Sequence, residues 1–194
     1  MILEENSFLE EEIKLPVRDI AETLGEIRKI AKHVTTYYIR DVIYGAGKDE
    51  KKLRLRIEDD FSFQMINATR KYKVAIKDNI KKEIEETVYN GNDYVDAVEA
   101  IRIQGEFKEE NSYEKIRIKF LTKEGTEITL DVYPFDNWLE IEGQPEHIHK
   151  AAKALGYTKK DYVNDTADDI YLQWTGKHNI KEQWDVRFGL KGEK

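Results

Sequence analysis

The stretch LEEEIKLPV, Leu9–Val17, decides how this 194-residue chain is read. As a strand it sends alternate side chains to opposite faces of a sheet, so Glu10, Glu12 and Lys14 share one face and Leu9, Ile13 and Leu15 the other. Two readings are open. The charged face is bathed in water, as one side of an antiparallel sheet commonly is, or it turns inward and handles an ion.

The rest of the chain repeats the pattern. Arg54 and Arg56 alternate with Leu53, Leu55 and Ile57; Lys71 and Lys73 with Tyr72 and Val74; Lys115 and Arg117 with Ile116 and Ile118. Acids do the same: Glu83 and Glu85 flank Ile84, Asp131 sits between Leu130 and Val132, and Glu140 and Glu142 alternate with Leu139 and Ile141. Same-face charges segregate by strand into basic pairs and acidic pairs, with little of the Ser and Thr that a solvated strand mixes in. That segregation favours the inward reading.

Between the strand-like pieces the period changes. In VRDIAETLGEIRKIAKHV, Ile20, Leu24, Ile27 and Ala31 recur at helical spacing, and DYVDAVEAI is a shorter stretch of the same kind. Strands are expected around Tyr37–Tyr44, Lys52–Ile57 and Arg70–Ile76, then in KKEIEETV, IRIQGEF, YEKIRIKFL, EITLDVY and NWLEIEG, with turns at Tyr89–Asn92 and Lys123–Gly125. A further helix runs from Pro145 to Gly156. Each half thus reads strand, helix, then several strands. The fold class expected is α+β: an eight-stranded antiparallel closed β-barrel from a duplicated half, with helices packed outside. Charged parity then lines the lumen and apolar parity packs under the helices.

Composition narrows the function. With 40% hydrophobic and 37% charged residues the chain suits one compact domain over 1–194, with a core at about 8–157 and an extension over 158–194. A net charge of −7 argues against bulk nucleic-acid binding, which needs a basic surface. The absence of cysteine removes disulfides and thiolate sites. No apolar run approaches the roughly 20 residues of a membrane span, and no leader is evident, so a cytoplasmic location is expected. Clustered carboxylates without His or Cys are the oxygen-donor set of hard cations such as Mg²⁺ or Mn²⁺. Lysines and forked arginines opposite them suit a polyphosphate. His147 and His149, two apart on a helix, do not face each other and are not read as ligands.

These residues resemble the CYTH domain of the triphosphate tunnel metalloenzymes, a family of adenylyl cyclases and of thiamine and inorganic triphosphatases. The E-x-E-x-K signature is similar to Glu10–Lys14, the L-R-[ILV]-R strand to Leu53–Arg56, and the K-x-R-x-x-aromatic element to Lys115–Phe120. The final acidic strand is similar to LDVYPFDNWLEIEG. The resemblance implies a tunnel that binds a divalent metal and a triphosphate (tripolyphosphate, nucleoside or thiamine triphosphate) and hydrolyses or cyclises it. Carried over by position, it implies Glu10, Glu12, Glu140 and Glu142 as metal ligands, assisted by Glu83, Glu85 and Asp131. It implies Lys14, Arg54, Arg56, Lys73, Lys115 and Arg117 as phosphate binders, with Glu10, Glu12, Lys14, Glu140 and Glu142 as the catalytic set. Hydrolysis is the leading expectation; adenylyl cyclisation and a non-catalytic polyphosphate- or nucleotide-binding module are the alternatives.

Two departures leave the substrate subclass open. Thr35-Thr36-Tyr37-Tyr38-Ile39 stands where many relatives carry an Asp-x-Tyr-Phe-Asp-like string, and the tail from Thr158 to Lys194, with Trp174, Trp184 and Phe188, has no counterpart. For that tail the readings are ordinary packing, a plug over one mouth, or a homodimer contact, with packing preferred. Lys71 is read as a rim charge, and the tyrosines of TTYYIRDVIY as structural rather than base-stacking.

Overall fold

A computed structural model describes residues 7–46, 49–183 and 185–189, the side chains of 46, 49–51 and 73 excepted. The chain runs β1 (Ser7–Pro16), α1 (Ile20–Ile30), β2 (Ala31–Ala46), β3 (Asp49–Asp59), β4 (Gln64–Lys77), then β5 (Ile80–Gly91), α2 (Tyr94–Ile103), β6 (Lys108–Thr122), β7 (Glu127–Val132), β8 (Asn137–Glu142). Both halves are therefore β-α-β-β-β; IRIQGEF, expected as a strand, instead closes α2 and forms the turn into β6, because its apolar Ile101 packs with the helix layer. After them come α3 (Pro145–Ala154), a single 3₁₀ turn at Lys159–Asp161, α4 (Ala167–His178) and the two-residue β9 (Asp185–Val186).

Strand order is β2-β3-β4-β5-β1-β8-β7-β6, and β6 pairs back onto β2, closing an eight-stranded antiparallel barrel without open edges. β9 adds to β6 in parallel. Register shifts in β2 between His33 and Thr35, and in β4 between Lys73 and Ala75, are bulges of the kind that let long strands curl around a closed wall.

The helices start where the sequence supplies a cap. Asp19 accepts from the Glu22 N–H, Asp93 from the Val95 and Asp96 N–H groups, and Thr166 and Asp169 form a reciprocal capping box on α4. α1 stops earlier than its apolar spacing suggests. Ala31 has extended backbone and opens β2, because the β-rich run that follows recruits it into the barrel wall. The expected turn at Tyr89–Asn92 likewise sits one step late, since β5 stays paired with β4 through Gly91.

Outward-facing apolar residues form two layers beneath the helices. Ile13, Leu15, Leu130, Leu139 and Ile141 pack with Ile27 of α1 and Ile148 and Ala152 of α3. Leu53, Leu55, Ile66 and Ala68 pack with Ala97 and Ile101 of α2. Leu139 is fully buried, so Leu139→Ala should cost about 2–5 kcal/mol through lost transfer energy and a residual cavity. A reduced urea midpoint with unchanged slope would register it. None of the described helices is long and apolar enough to cross a membrane.

Candidate functional site: an ionic lumen

Pairing fixes which side chains meet inside. Glu12 stands opposite Lys81 on β5 and Glu142 on β8, Lys14 opposite Glu140, Arg56 opposite Asp41, and Arg117 opposite Asp131. Residues paired across strands project to the same face, so all of these share the lumen. Glu10, Glu12, Lys14, Arg56, Glu83, Glu85, Lys115 and Asp131 are buried, although the opposite parity, with Ile13, Leu15, Leu55 and Leu130, packs beneath the helices. The inward reading of the parity holds.

The lumen holds acids and bases interleaved in ion pairs, with Glu142 outside that pairing among the described residues. Arg56, Lys115 and Arg117 stand close enough that Arg117 and Arg56, after burial itself, help hold the Lys115 ammonium down to about 8. Asp131, with no measurable exposure, accepts from Lys115 Nζ at 2.7 Å and from both Arg117 Nε and Nη2 at 2.6 Å. Arg117 also bridges to Glu140, which pairs with Lys14 at 3.2 Å. Burial pushes Glu140 up, but Lys14 and Arg117 outweigh it and hold this carboxyl well below the usual range. Arg56 makes a bidentate fork to Asp41 at 2.7 and 2.8 Å.

The acids of β1 and β5 pair with bases in the same way. Glu12 touches Lys14 at 3.1 Å and Lys81 at 2.5 Å; burial raises its carboxyl, yet these ammonium groups bring it to about 2. Glu10 pairs with Lys71 at 2.5 Å, and Glu85 with Lys71 at 2.8 Å and Arg54 at 3.2 Å. Glu83 meets Lys81 at 3.1 Å. Glu142 differs from the rest. It makes no ion pair among the described residues, and burial followed by the nearby Glu10 and Glu127 carboxylates pushes it up to about 7.

The chemistry of this donor set suits a hard divalent cation: Glu10, Glu12 and Glu142 are oxygen donors, and their mutual repulsion at Glu142 is what such an ion relieves. Among the described residues, however, no three carboxylate or histidine side chains already converge at ligand distance. Lys71, Lys81 and Lys14 hold Glu10 and Glu12 instead. Loading a cation therefore entails displacing these ammonium groups.

Most sequence-picked residues fall in the lumen: Glu10, Glu12, Lys14, Arg54, Arg56, Glu83, Glu85, Lys115, Arg117, Asp131, Glu140 and Glu142. The side chain of Lys73 lies outside the described residues. Lys71 is corrected from rim charge to lumen residue, since its ammonium joins Glu10 and Glu85. Asp41 and Lys81 were not singled out in the sequence. Lys81 shares the parity of Glu83 and Glu85 and was legible from it; Asp41 was not, because the same face of β2 carries Ile39 and Ile43. Of the tyrosines in TTYYIRDVIY, Tyr37 pairs with Arg117 and shares the lumen face, whereas Tyr44 packs outside with the α2 layer.

The tail packs across one end of the barrel. Inward residues Ile43, Tyr113 and Tyr133 pack with Tyr171 and Trp174 of α4, Val186 of β9, and Phe135 and Trp138. Phe135 lies 5.1 Å from the rings of both Tyr133 and Tyr171, so the cap's aromatics are engaged with one another. The Asp168 carboxylate clasps α4 to the wall, accepting from Tyr113 Oη (2.7 Å), Asn111 Nδ2 (2.9 Å) and Lys52 Nζ (3.2 Å). Asp168→Ala removes the partner of Tyr113 Oη and Asn111 Nδ2, while Lys52 keeps Glu110, and should cost about 1–3 kcal/mol. Hydrogen exchange across residues 167–186 should quicken, while that of β1 and β8 stays slow. Trp184 and residues 190–194 lie outside the described residues.

No family model matches the chain, and no curated protein matches it. Solved structures do. A Pyrococcus horikoshii OT3 protein, PH1819, superposes with a TM-score of 0.65 at 22% identity, covering 84% of this chain and 98% of that one. A Vibrio parahaemolyticus protein described as a candidate adenylate cyclase gives 0.63 at 18% identity, covering 84% and 97%. A Hippeastrum protein, a candidate adenylyl cyclase described as having a dominant triphosphatase activity, gives 0.58 at 15% identity, covering 84% and 95%. At these identities the likeness is one of fold.

Proposed function

We propose, from the CYTH tunnel fold and its charged, buried lumen, that this chain is a divalent-metal-dependent triphosphatase. The observation that carries the reading is one closed wall that encloses Arg56, Lys115 and Arg117 together with the carboxylates of Glu10, Glu12 and Glu142, the last lacking an ion-pair partner among the described residues. A buried lumen of this kind is stable only while each charge has a partner, and a metal-bearing polyphosphate supplies partners to both groups at once.

In this reading Arg54, Arg56, Lys73, Lys115 and Arg117 bind phosphoryl oxygens. Glu10, Glu12 and Glu142 would hold Mg²⁺ or Mn²⁺, with Glu83, Glu85, Asp131 and Glu140 around them. The ion, when bound, would supply Lewis acidity and neutralise phosphoryl charge. Lys14, between Glu12 and Glu140, orients the chain of phosphates. Lys71 and Lys81, released from Glu10 and Glu12, become available to the same oxygens. Water attacks the terminal phosphorus, the bridging P–O bond breaks with its electron pair passing to diphosphate, and the attacking water loses its proton to give orthophosphate.

The names of two fold neighbours support a second reading, adenylyl cyclase, in which the 3′-hydroxyl of ATP attacks the α-phosphorus. Among the described residues, the engagement of Phe135 with the Tyr133 and Tyr171 rings favours the first reading. Titration with Mg²⁺ and Mn²⁺ in the presence of tripolyphosphate or ATP, assayed separately for orthophosphate and cyclic AMP, decides between them. Orthophosphate is expected. Cyclic AMP would replace the first reading by the second, and tight binding without turnover would leave a binding module.

A further inference from the structure

Arg54 Nε, Thr129 Oγ1 and Trp138 Nε1 are among the lumen-facing polar atoms that are buried and lack a hydrogen-bond partner among the described residues. Such an atom costs about 1–3 kcal/mol unless something satisfies it. Arg54 already belongs to the phosphate-binding set, but Thr129 and Trp138 carry no assigned role. Both lie on the lumen face: Thr129 pairs with Glu140, and Trp138 with Asp131. The four side chains make a square on β7 and β8, with the two unpartnered groups on one diagonal and the carboxylates gripped by Arg117 on the other. Thr129 is only 2% exposed.

The chemistry of the diagonal identifies what completes it. An indole N–H can donate and cannot accept, so its partner is an acceptor. The neighbouring carboxylates are taken up by Arg117, Lys115 and Lys14. The two groups stand about 7–8 Å apart if they follow ordinary diagonal spacing, within the span of a short chain of linked phosphoryl groups. We propose that Trp138 and Thr129 are further substrate-binding residues, each donating to an oxygen of the polyphosphate chain, with Trp138 placing its phosphoryl group against the aromatic cap. This inference rests on the triphosphate reading and adds two neutral donors to a set otherwise composed of cations. Neutral donors distinguish a phosphoryl oxygen by direction rather than by charge, and therefore set the register of the chain along the lumen.

The test uses the whole chain with tripolyphosphate as probe, with and without Mg²⁺. In ¹⁵N-labelled protein the Trp138 Nε1–H resonance, identified by its loss in Trp138→Phe, should move on addition of tripolyphosphate. Binding by calorimetry should weaken about tenfold in Trp138→Phe and in Thr129→Val, the loss expected for one hydrogen bond to a charged acceptor. Thr129→Val is nearly isosteric and gives an independent answer if Trp138→Phe perturbs the cap. Tripolyphosphate that binds wild type with an unmoved Trp138 resonance, or binds both variants as tightly as wild type, overturns this inference and leaves the triphosphate reading standing. Failure of wild type to bind tripolyphosphate at all overturns both.

Discussion

Asp131→Asn is expected to cost about 3–5 kcal/mol of folding stability, the largest loss from a single lumen substitution. The wild-type carboxylate is wholly buried and neutralises two cations, Lys115 and Arg117, through three short hydrogen bonds. Asparagine keeps the shape but removes the charge, and it turns an N–H₂ group towards donors. Lys115 is already held down to about 8 by burial and then by Arg117 and Arg56, so losing Asp131 should lower its ammonium further. The sign follows from linkage: a lysine depressed in the folded state opposes folding below its ordinary value, and more strongly as pH falls through its folded value. The deficit of Asp131→Asn should therefore be larger at pH 6 than at pH 9. Thermal melts of both proteins across that range measure it; a deficit independent of pH would show that Lys115 is not the group left unpaired. Polyphosphate should restore part of the loss, since it offers the stranded cations a replacement anion.

Glu142→Gln is expected to lower turnover on the order of a hundredfold or more while raising the stability of the metal-free protein at alkaline pH. Glu142 is pushed up to about 7 from an ordinary 4.5 by burial, then by Glu10 and Glu127. A carboxyl raised in the folded state favours folding fully below its ordinary value, and that contribution disappears as pH rises through about 7. Glutamine cannot ionise, so the variant should match wild type near pH 4 and exceed it at pH 8. Mg²⁺ should raise the melting temperature of wild type at pH 8 and have a much smaller effect on the variant. Full activity in Glu142→Gln would remove this residue from the metal assignment; an unchanged pH profile would remove the repulsion argument.

The two substitutions act on acids in opposite settings. Asp131 is an acid among bases, and its removal strands cations. Glu142 is an acid among acids, and its removal relieves them. Simple burial of an ion pair predicts loss in both cases, so the contrast in sign tests that difference of setting.

Strand parity was legible because its cause is local: a two-residue period sends Glu10, Glu12 and Lys14 one way whatever the rest of the chain does. The strand-helix-strands order of each half was legible for the same reason, as the period changes from two to 3.6 and back, although IRIQGEF, read as a strand, ends α2 instead. Closure of the wall, and the depth of each charge within it, were not. Asp41 meets Arg56, and Lys71 reaches Glu10, only through the stagger of paired strands, which is a property of the closed sheet rather than of either segment. The resting place of α4 was equally hidden. Its sequence specifies a capped helix, but its seat at the barrel mouth depends on Tyr113 and Tyr133 arriving there from strands far away in the chain. The sequence by itself determined which side chains share a face and that ionic faces alternate with apolar ones. Tertiary structure alone decided which charges meet and which end is capped, because those contacts exist only once the strands have registered around a closed barrel.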